Sequence, residues 1–485
     1  MNNAILCAVV AVSSVAFALP APEVKIEFDY SCTDAARKLL AQGFEAEDHW
    51  KLEEARGFFQ QAVSTDAKCL IAKIGAARNF SGPEVKKVME EILPLAASAP
   101  EVEKQLIAAS DAMRSGHPEK ALEIFEKLRK AHPQVYRAQM LVAGAAAGMQ
   151  LYDRSIAAAK KAAELNPKAG GPPNMLGWTF TLQHKLPEAI AAYQKYVELA
   201  PQEPNAHDSL ADAYLAAGRL TEALAGFKKA VDLPKAPFIM SLDGVATALV
   251  LQGDFEGARA ALTRYHDNAK LPWQKPYTSR FLAATWMIEG KSDKALAALN
   301  QAVAEGKPEV PAQSAYGLCF RAWYLAEEGK WTDALAALAE LDKVPRDTFN
   351  PGQAALVTAW QTTLALRAHV GLGKLPDAEK DLAALKKALD GHDDPFAHDS
   401  RAYAEGLVAL AKKDTAGATA SFKRCGDQSW DCQVALINAN PDGSKTVREQ
   451  LIAANRRDPV YLVLRAKVLK AAPEPLKKLG KATTR

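Results

Sequence analysis

From residue 171 onward, apolar positions recur with the 3.6-residue period of a helix, not the two-residue alternation of a strand. The stretch GPPNMLGWTFTLQHKLPEAIAAYQKYVELAP (171–201) holds two such segments. Leu176, Gly177 and Phe180 share one face of the first, and Gly177 lets a neighbouring helix come close. The second opens at Pro187, tolerated in a first helical turn because its missing N–H has no partner there anyway. Ala189, Tyr193 and Tyr196 follow at i, i+4 and i+7, and Pro201 ends the segment. The next unit repeats the layout with Leu210, Ala211 and Tyr214, then Ala223, Phe227, Ala230 and Pro234. The pattern predicts helix pairs.

Pro100, Pro133, Pro167, Pro201 and Pro234 stand 33, 34, 34 and 33 residues apart, a period that marks a helical repeat array. The small residue of each second helix runs along the chain as Ala55, Ala121, Ser155, Ala189, Ala223, Ala258, Ala295, Ala334, Ala378 and Ala418. Its intervals are 66, 34, 34, 34, 35, 37, 39, 44 and 40; the first conceals a divergent pair, with helices over about 69–79 and 83–97. These units resemble the tetratricopeptide repeat family, closely between about 100 and 235, fairly to 345 and loosely from 350 to 425. The resemblance implies an all-α chain, a right-handed superhelical α-solenoid of stacked antiparallel helix pairs, since one pair cannot bury its apolar face alone. It divides the chain into divergent pairs at 30–100, the repeat array at 101–345, divergent pairs at 346–432, and capping helices with a basic tail at 433–485.

The resemblance also implies that first helices line a concave surface suited to a protein or peptide. The residues expected there are Asn174, Trp178 and Thr181, then Asp208 and Asp212, Asp243 and Thr247, Tyr277 and Arg280, and Tyr316 and Trp323. Family members that hold a chaperone's acidic C-terminus use Lys, Arg and Asn at such places. Three aspartates here point instead to a basic or amphipathic partner, with aromatic rings as anchors. The plainer alternative is solvation for the aspartates and inter-repeat packing for Trp178.

Composition changes this picture little. The 485 residues are 49% hydrophobic, enough to fill a core, and 60 Lys plus Arg stand against 57 Asp plus Glu. That balance lacks the concentrated basic surface of a nucleic-acid binder. Only the end is basic: Lys445 to Arg485 carries eleven Lys or Arg and three Asp or Glu. Such a tail either meets an anionic envelope surface or simply keeps the array soluble. GLGK at 371–374 lacks the rest of a phosphate-binding loop, and no H-E-x-x-H, G-x-S-x-G or C-x-x-C-H motif occurs. GHDDPFAHDS gathers His392, Asp393, Asp394, His398 and Asp399, the best cluster for a metal-dependent hydrolase. An exposed inter-helix turn has the same composition, and Asp399 or Ser400 can cap the next helix. No cofactor is indicated, and a non-catalytic scaffold is the expectation.

An uncharged apolar run from Ala4 to Ala18 ends in Ala16-Phe17-Ala18, with Pro20 beyond it. It is too short to span a bilayer and ends in a signal-peptidase pattern, although the leading MNN has no Lys or Arg. It predicts a cleavable signal peptide over 1–18 and a periplasmic or secreted protein, and no later run is long enough for a membrane helix. Beyond it stand Cys32, Cys69, Cys319, Cys425 and Cys432. In RCGDQSWDC (424–432), Cys425 and Cys432 admit a staple, free thiols, a redox pair or a metal site. No nearby histidine completes a zinc set, and redox motifs bring the sulfurs closer in sequence. An oxidising compartment favours the staple. It also favours a Cys32–Cys69 bridge, because both precede first helices of successive pairs and so fall at one end of the stack. Cys319, beside Phe320 and Trp323, is expected to be a buried thiol.

Overall fold

The computed structural model describes residues 25, 27–49, 51–78, 83–233, 238–306, 310–349, 351–392, 395–426 and 429–472. The expected signal peptide at 1–18, the tail from 473, and Asp393 and Asp394 lie outside the described residues. Among the described residues the chain is helical, with one isolated bridge between Lys25 and Val135.

The helices come as antiparallel neighbours. α1 (Asp34–Asp48) pairs with α2 (Leu52–Thr65), α3 (Leu70–Arg78) with α4 (Pro83–Leu95), and α5 (Glu101–Arg114) with α6 (Pro118–Ala131). α7 (Tyr136–Gly148) and α8 (Tyr152–Leu165), α9 (Gly171–Leu182) and α10 (Leu186–Leu199), and α11 (Pro204–Ala216) and α12 (Leu220–Asp232) follow. Next come α13 (Ser241–Gln252) with α14 (Phe255–Asp267), α15 (Gln274–Ile288) with α16 (Ser292–Gly306), and α17 (Pro311–Glu327) with α18 (Trp331–Ala339). α19 (Pro351–Gly371) with α20 (Leu375–Ala388) and α21 (Pro395–Ala411) with α22 (Thr415–Phe422) are the last pairs. α23 (Trp430–Ala439), α24 (Lys445–Ala453) and α25 (Pro459–Ala471) end the described chain.

Local chemistry explains the boundaries. Proline stands in the first turn of α6, α10, α11, α17, α20 and α25, where no amide hydrogen bond is lost. Asp254, Asp414 and Asp458 cap α14, α22 and α25 by accepting from backbone N–H groups. From α5 onward, the chain turns between the two helices of a pair through one left-handed residue. These are Gly116, Gln150, His184, Gly218, Gly253, Gly290, Gly329, Gly373 and Lys413. Each lies five residues before a member of the small-residue series that starts at Ala121, so the turn keeps register even where glycine is absent. All ten small residues from Ala55 to Ala418 are buried. At Gly177 a Cβ would come within 2.6 Å of the Tyr193 ring, which explains the bare backbone there.

The stretched intervals beyond 290 reside largely in longer first helices. α17 has 17 residues, α19 has 21 and α21 has 17, against 12 in α9 and 13 in α11. One apolar core runs from Ala211 to Ala472 and includes Tyr461, Leu462, Val463 and Leu464 of α25. α25 therefore folds back and packs on α15 as well as on α23 and α24.

Successive turns of the solenoid touch. The rings of His117 and His392 stack 6.2 Å apart, and the Arg456 guanidinium approaches His184 Nδ1 at 3.5 Å. The second contact joins residues 272 apart in the chain. Among the described residues no helix is long and apolar enough to cross a membrane.

Candidate functional site

First helices of successive pairs pack on one another, as α9 on α11, α15 on α17 and α17 on α19, whereas second helices do not to any comparable extent. The array curves with its first helices inside. On that inner face α11 and α13 bring Asp208, Asp212 and Asp243 to one point, and Arg457 closes onto them from the segment before α25. Its Nη1 lies 3.0 Å from Asp208 Oδ2 and 3.0 Å from Asp212 Oδ2. Its Nη2 donates to the Met240 carbonyl at 3.3 Å and to Asp243 Oδ1. The guanidinium also stands over the Phe227 ring, 5.1 Å from its centroid.

Ser241 donates to Asp208, and Tyr277 donates to Asp243 Oδ2 at 2.8 Å. One positive charge thus faces three carboxylates. Burial, with Asp208 and Asp243 alongside, pushes the Asp212 carboxyl up to about 7 against the pull of Arg457. Burial raises Asp243 in the same direction.

This cluster corrects the picture of an open acidic surface. Asp208 and Asp243 are each 6% exposed and held by the chain's own arginine. Thr247 and Trp323 lie in the core rather than on the groove. Thr247 donates to the Asp243 carbonyl at 2.8 Å, and Trp323 stacks on Phe320 and donates to Asp431 Oδ1 at 2.9 Å. Thr181 turns back to its own helix, donating to the Gly177 carbonyl. Arg280 donates to Gln313 Oε1 at 2.9 Å, and burial pulls its guanidinium below the ordinary arginine range. Tyr316 is half-buried on α17. Arg457 was legible only as part of a basic tail. Its signal was the uncompensated charge of three aspartates on neighbouring inner faces.

What stays open is divided by the turn between α1 and α2, which crosses the inner face. Asp48 accepts from Arg137 Nη1 at 2.8 Å, His49 Nδ1 meets the Tyr196 hydroxyl at 2.7 Å, and Lys51 pairs with Glu203 at 2.8 Å. Glu27 also accepts from Arg137, so this buried guanidinium has two carboxylates. On one side lies an apolar cavity of about 500 Å³, lined by Phe44, Ile74, Leu106, Met113, Met140 and Leu141 among others. On the other, a more polar cavity of about 460 Å³ is lined by Met140, Asn174, Trp178, Asp208, Asp212 and Arg457. Met140 belongs to both. Asn174 donates to the Asp48 carbonyl and to Asn205, while Trp178 stays 39% exposed. Four of the expected groove residues, Asn174, Trp178, Asp208 and Asp212, thus share one cavity.

The sulfur atoms of Cys32 and Cys69, and of Cys425 and Cys432, lie at disulfide-bond distance. Cys319 is buried, which pushes its thiol up to about 12. Around the start of α21, with His392 before the helix and Asp399 inside it, the described residues go separate ways. His392 stacks on His117, whereas Asp399 accepts from the Gly426 N–H at 2.9 Å. Among the described residues no group of three or more His, Cys, Asp or Glu is arranged to hold a metal ion.

Residues 108–170 and 175–238 match a family model described as tetratricopeptide repeat. Comparison with curated proteins gives no match. Among solved structures the chain is similar to one reported in the functional characterization of Pseudomonas aeruginosa pilF. That likeness has 16% identity and a TM-score of 0.33, covering 46% of this chain and 94% of the other. A second, the APC/C hetero-tetramer Cut9–Hcn1, gives 14% identity and a TM-score of 0.37, covering 78% of this chain and 77% of the other. A third, YrrB, described as a TPR protein with an unusual peptide-binding site, gives 17% identity and a TM-score of 0.28, covering 38% and 93%.

Proposed function

We propose that this chain, whose residues 108–170 and 175–238 match a tetratricopeptide-repeat model, is a non-catalytic scaffold of that kind holding an amphipathic peptide segment of a protein partner. The observation that carries this reading is the pair of adjoining inner cavities that share Met140. Phe44, Ile74, Leu106 and Met113 offer an apolar slot whose methionine can adapt to different side chains. Across Met140, Asn174, Trp178 and Asp212 offer hydrogen bonds and an exposed aromatic anchor. A peptide with an apolar stretch followed by polar residues matches that order. A purely basic peptide matches it less well, because Arg457 already occupies the three aspartates.

The compartment is part of the same reading. The apolar run from Ala4 to Ala18 supports export, and two cysteine pairs at disulfide-bond distance suit an oxidising environment. Photo-crosslinking side chains placed at Met113 and at Trp178 of the native chain test the groove. Both positions should capture the same protein, and Leu106→Glu should abolish capture at both. Capture of different proteins at the two positions, or capture unaffected by Leu106→Glu, would reject the groove.

A further inference from the structure

Trp178 of α9 and Asp212 of α11 stand 34 residues apart, the same place in successive repeats, and both line the polar cavity of about 460 Å³. Both are open to a ligand. Trp178 is 39% exposed, and so is the Asp212 side chain. Arg457 engages only one of the two carboxylate oxygens, Oδ2 at 3.0 Å. Asp212 Oδ1 has no hydrogen-bond partner among the described residues and is not sealed from water.

A second polar group in the same wall is half-used. Asn205 of α11 is only 6% exposed, and its Oδ1 accepts from Asn174 Nδ2 and from the Tyr196 hydroxyl, both at 3.3 Å. These two donors fix the amide's orientation. Its Nδ2 is then a donor with no partner among the described residues, in a side chain that lines the cavity. The cavity thus presents one open acceptor, one open donor and one flat aromatic face.

Charge narrows the choice of ligand. Asp208, Asp212 and Asp243 share Arg457, while Glu27 and Asp48 share Arg137. Five carboxylates have two guanidiniums between them, so an anion entering here meets repulsion. A purely apolar group would cover Trp178 but strip water from Asp212 Oδ1 and leave nothing in its place. A guanidinium works best against two acceptors side by side, and Asp212 leaves one. An ammonium on a flexible stem is a compact point charge that one oxygen can serve. Its methylenes can lie along the tryptophan, whose ring face also attracts the cation.

The following inference rests on the groove reading above and names one residue of the partner. We propose that the bound segment sets a single lysine in the polar cavity, its ammonium on Asp212 Oδ1, its methylene stem on Trp178, and a main-chain carbonyl accepting from Asn205 Nδ2. Only one acceptor is open, so a run of basic residues gains nothing over one.

Two fluorescein-labelled probes test this on the full chain by fluorescence anisotropy. One is the peptide Leu-Leu-Ala-Leu-Leu-Ser-Lys-Ser, and the other carries N-acetyl-lysine in place of lysine. The lysine probe should bind at least about tenfold more tightly, the worth of one charge-assisted hydrogen bond. Asp212→Asn should erase that preference. Trp178→Ala, at an exposed position, should weaken the lysine probe severalfold, and neither variant should change the circular dichroism spectrum. Equal binding of both probes to wild type, abolished for both by Leu106→Glu, would overturn the lysine assignment and keep the groove. A preference that survives Asp212→Asn would overturn it as well. Failure of both probes to bind, or binding indifferent to Leu106→Glu, would reject the groove and this inference with it.

Discussion

Arg457 Nη1 sits 3.0 Å from Asp212 Oδ2, although the two residues are 245 positions apart in the chain. The contact ties the returning C-terminal segment to the middle of the repeat array. It also converts a cluster of three inner aspartates into a structural joint. The joint is held by one cation that forks between Asp208 and Asp212 through Nη1 and reaches Asp243 through Nη2.

Removing that cation leaves Asp208 with only the Ser241 hydroxyl and Asp243 with only the Tyr277 hydroxyl, and no counter-charge for either buried carboxylate. Arg457→Ala should therefore destabilise the protein by about 3 kcal/mol or more, the usual consequence of breaking a buried pair from one side. Arg457→Lys keeps the charge but not the fork and should fall in between. Urea unfolding, with hydrogen exchange of α25 amides as a local probe, measures both. Wild-type stability and α25 protection in Arg457→Ala would show that the joint carries no weight.

The same cluster sets a pH dependence. Asp212 titrates near 7 in the folded chain instead of 3.8, so the folded form keeps a proton that the unfolded chain releases. Its contribution to stability is fully present below about 3.8 and is lost as pH rises through about 7. Melting temperatures taken from pH 5 to 8 should fall more steeply for wild type than for Asp212→Asn, in which the group cannot ionise. Parallel pH profiles would contradict the assignment.

The two cysteine bridges close loops of different length, with sequence separations of 37 and 7. Chain entropy alone makes the Cys32–Cys69 bridge worth about 4 kcal/mol and the Cys425–Cys432 bridge about 2.5. Replacing each pair by serine should lower stability in that order, seen as two separate shifts in thermal unfolding. Non-reducing peptide mapping of the native protein should find both pairs linked. Alkylation of all four sulfurs without reduction would refute them.

Gly177 faces the Tyr193 ring so closely that a methyl group cannot enter without displacing it. Gly177→Ala should destabilise by about 1–2 kcal/mol, a packing penalty of about 1–3 kcal/mol partly offset by better helix propensity, about 1 kcal/mol. Tyr193→Leu in the same background should recover part of the loss, a coupling that a double-mutant cycle reads directly.

The sequence by itself determined the helix pairs, their period and their packing faces. Ala121, Ser155, Ala189 and the rest of that series are buried because helical periodicity and close helix crossing act within one or two repeats. Proline and aspartate marked helix starts for equally local reasons. The inner surface was legible only in part. Asn174, Trp178, Asp208 and Asp212 do share one cavity, but nothing local announced that Arg457 would reach three of the aspartates. Nor did it announce that Asp48 would bridge to Arg137. Those meetings join residues tens to hundreds of positions apart. They depend on the small rotation from each pair to the next, which accumulates along a solenoid until distant turns touch, as His117 and His392 do. Sequence pattern specifies each step of that rotation only loosely, and a slight change per pair would bring a different residue to every long-range contact. The repeat was therefore readable from the chain, while the occupants of its interior were decided by the curvature of the whole.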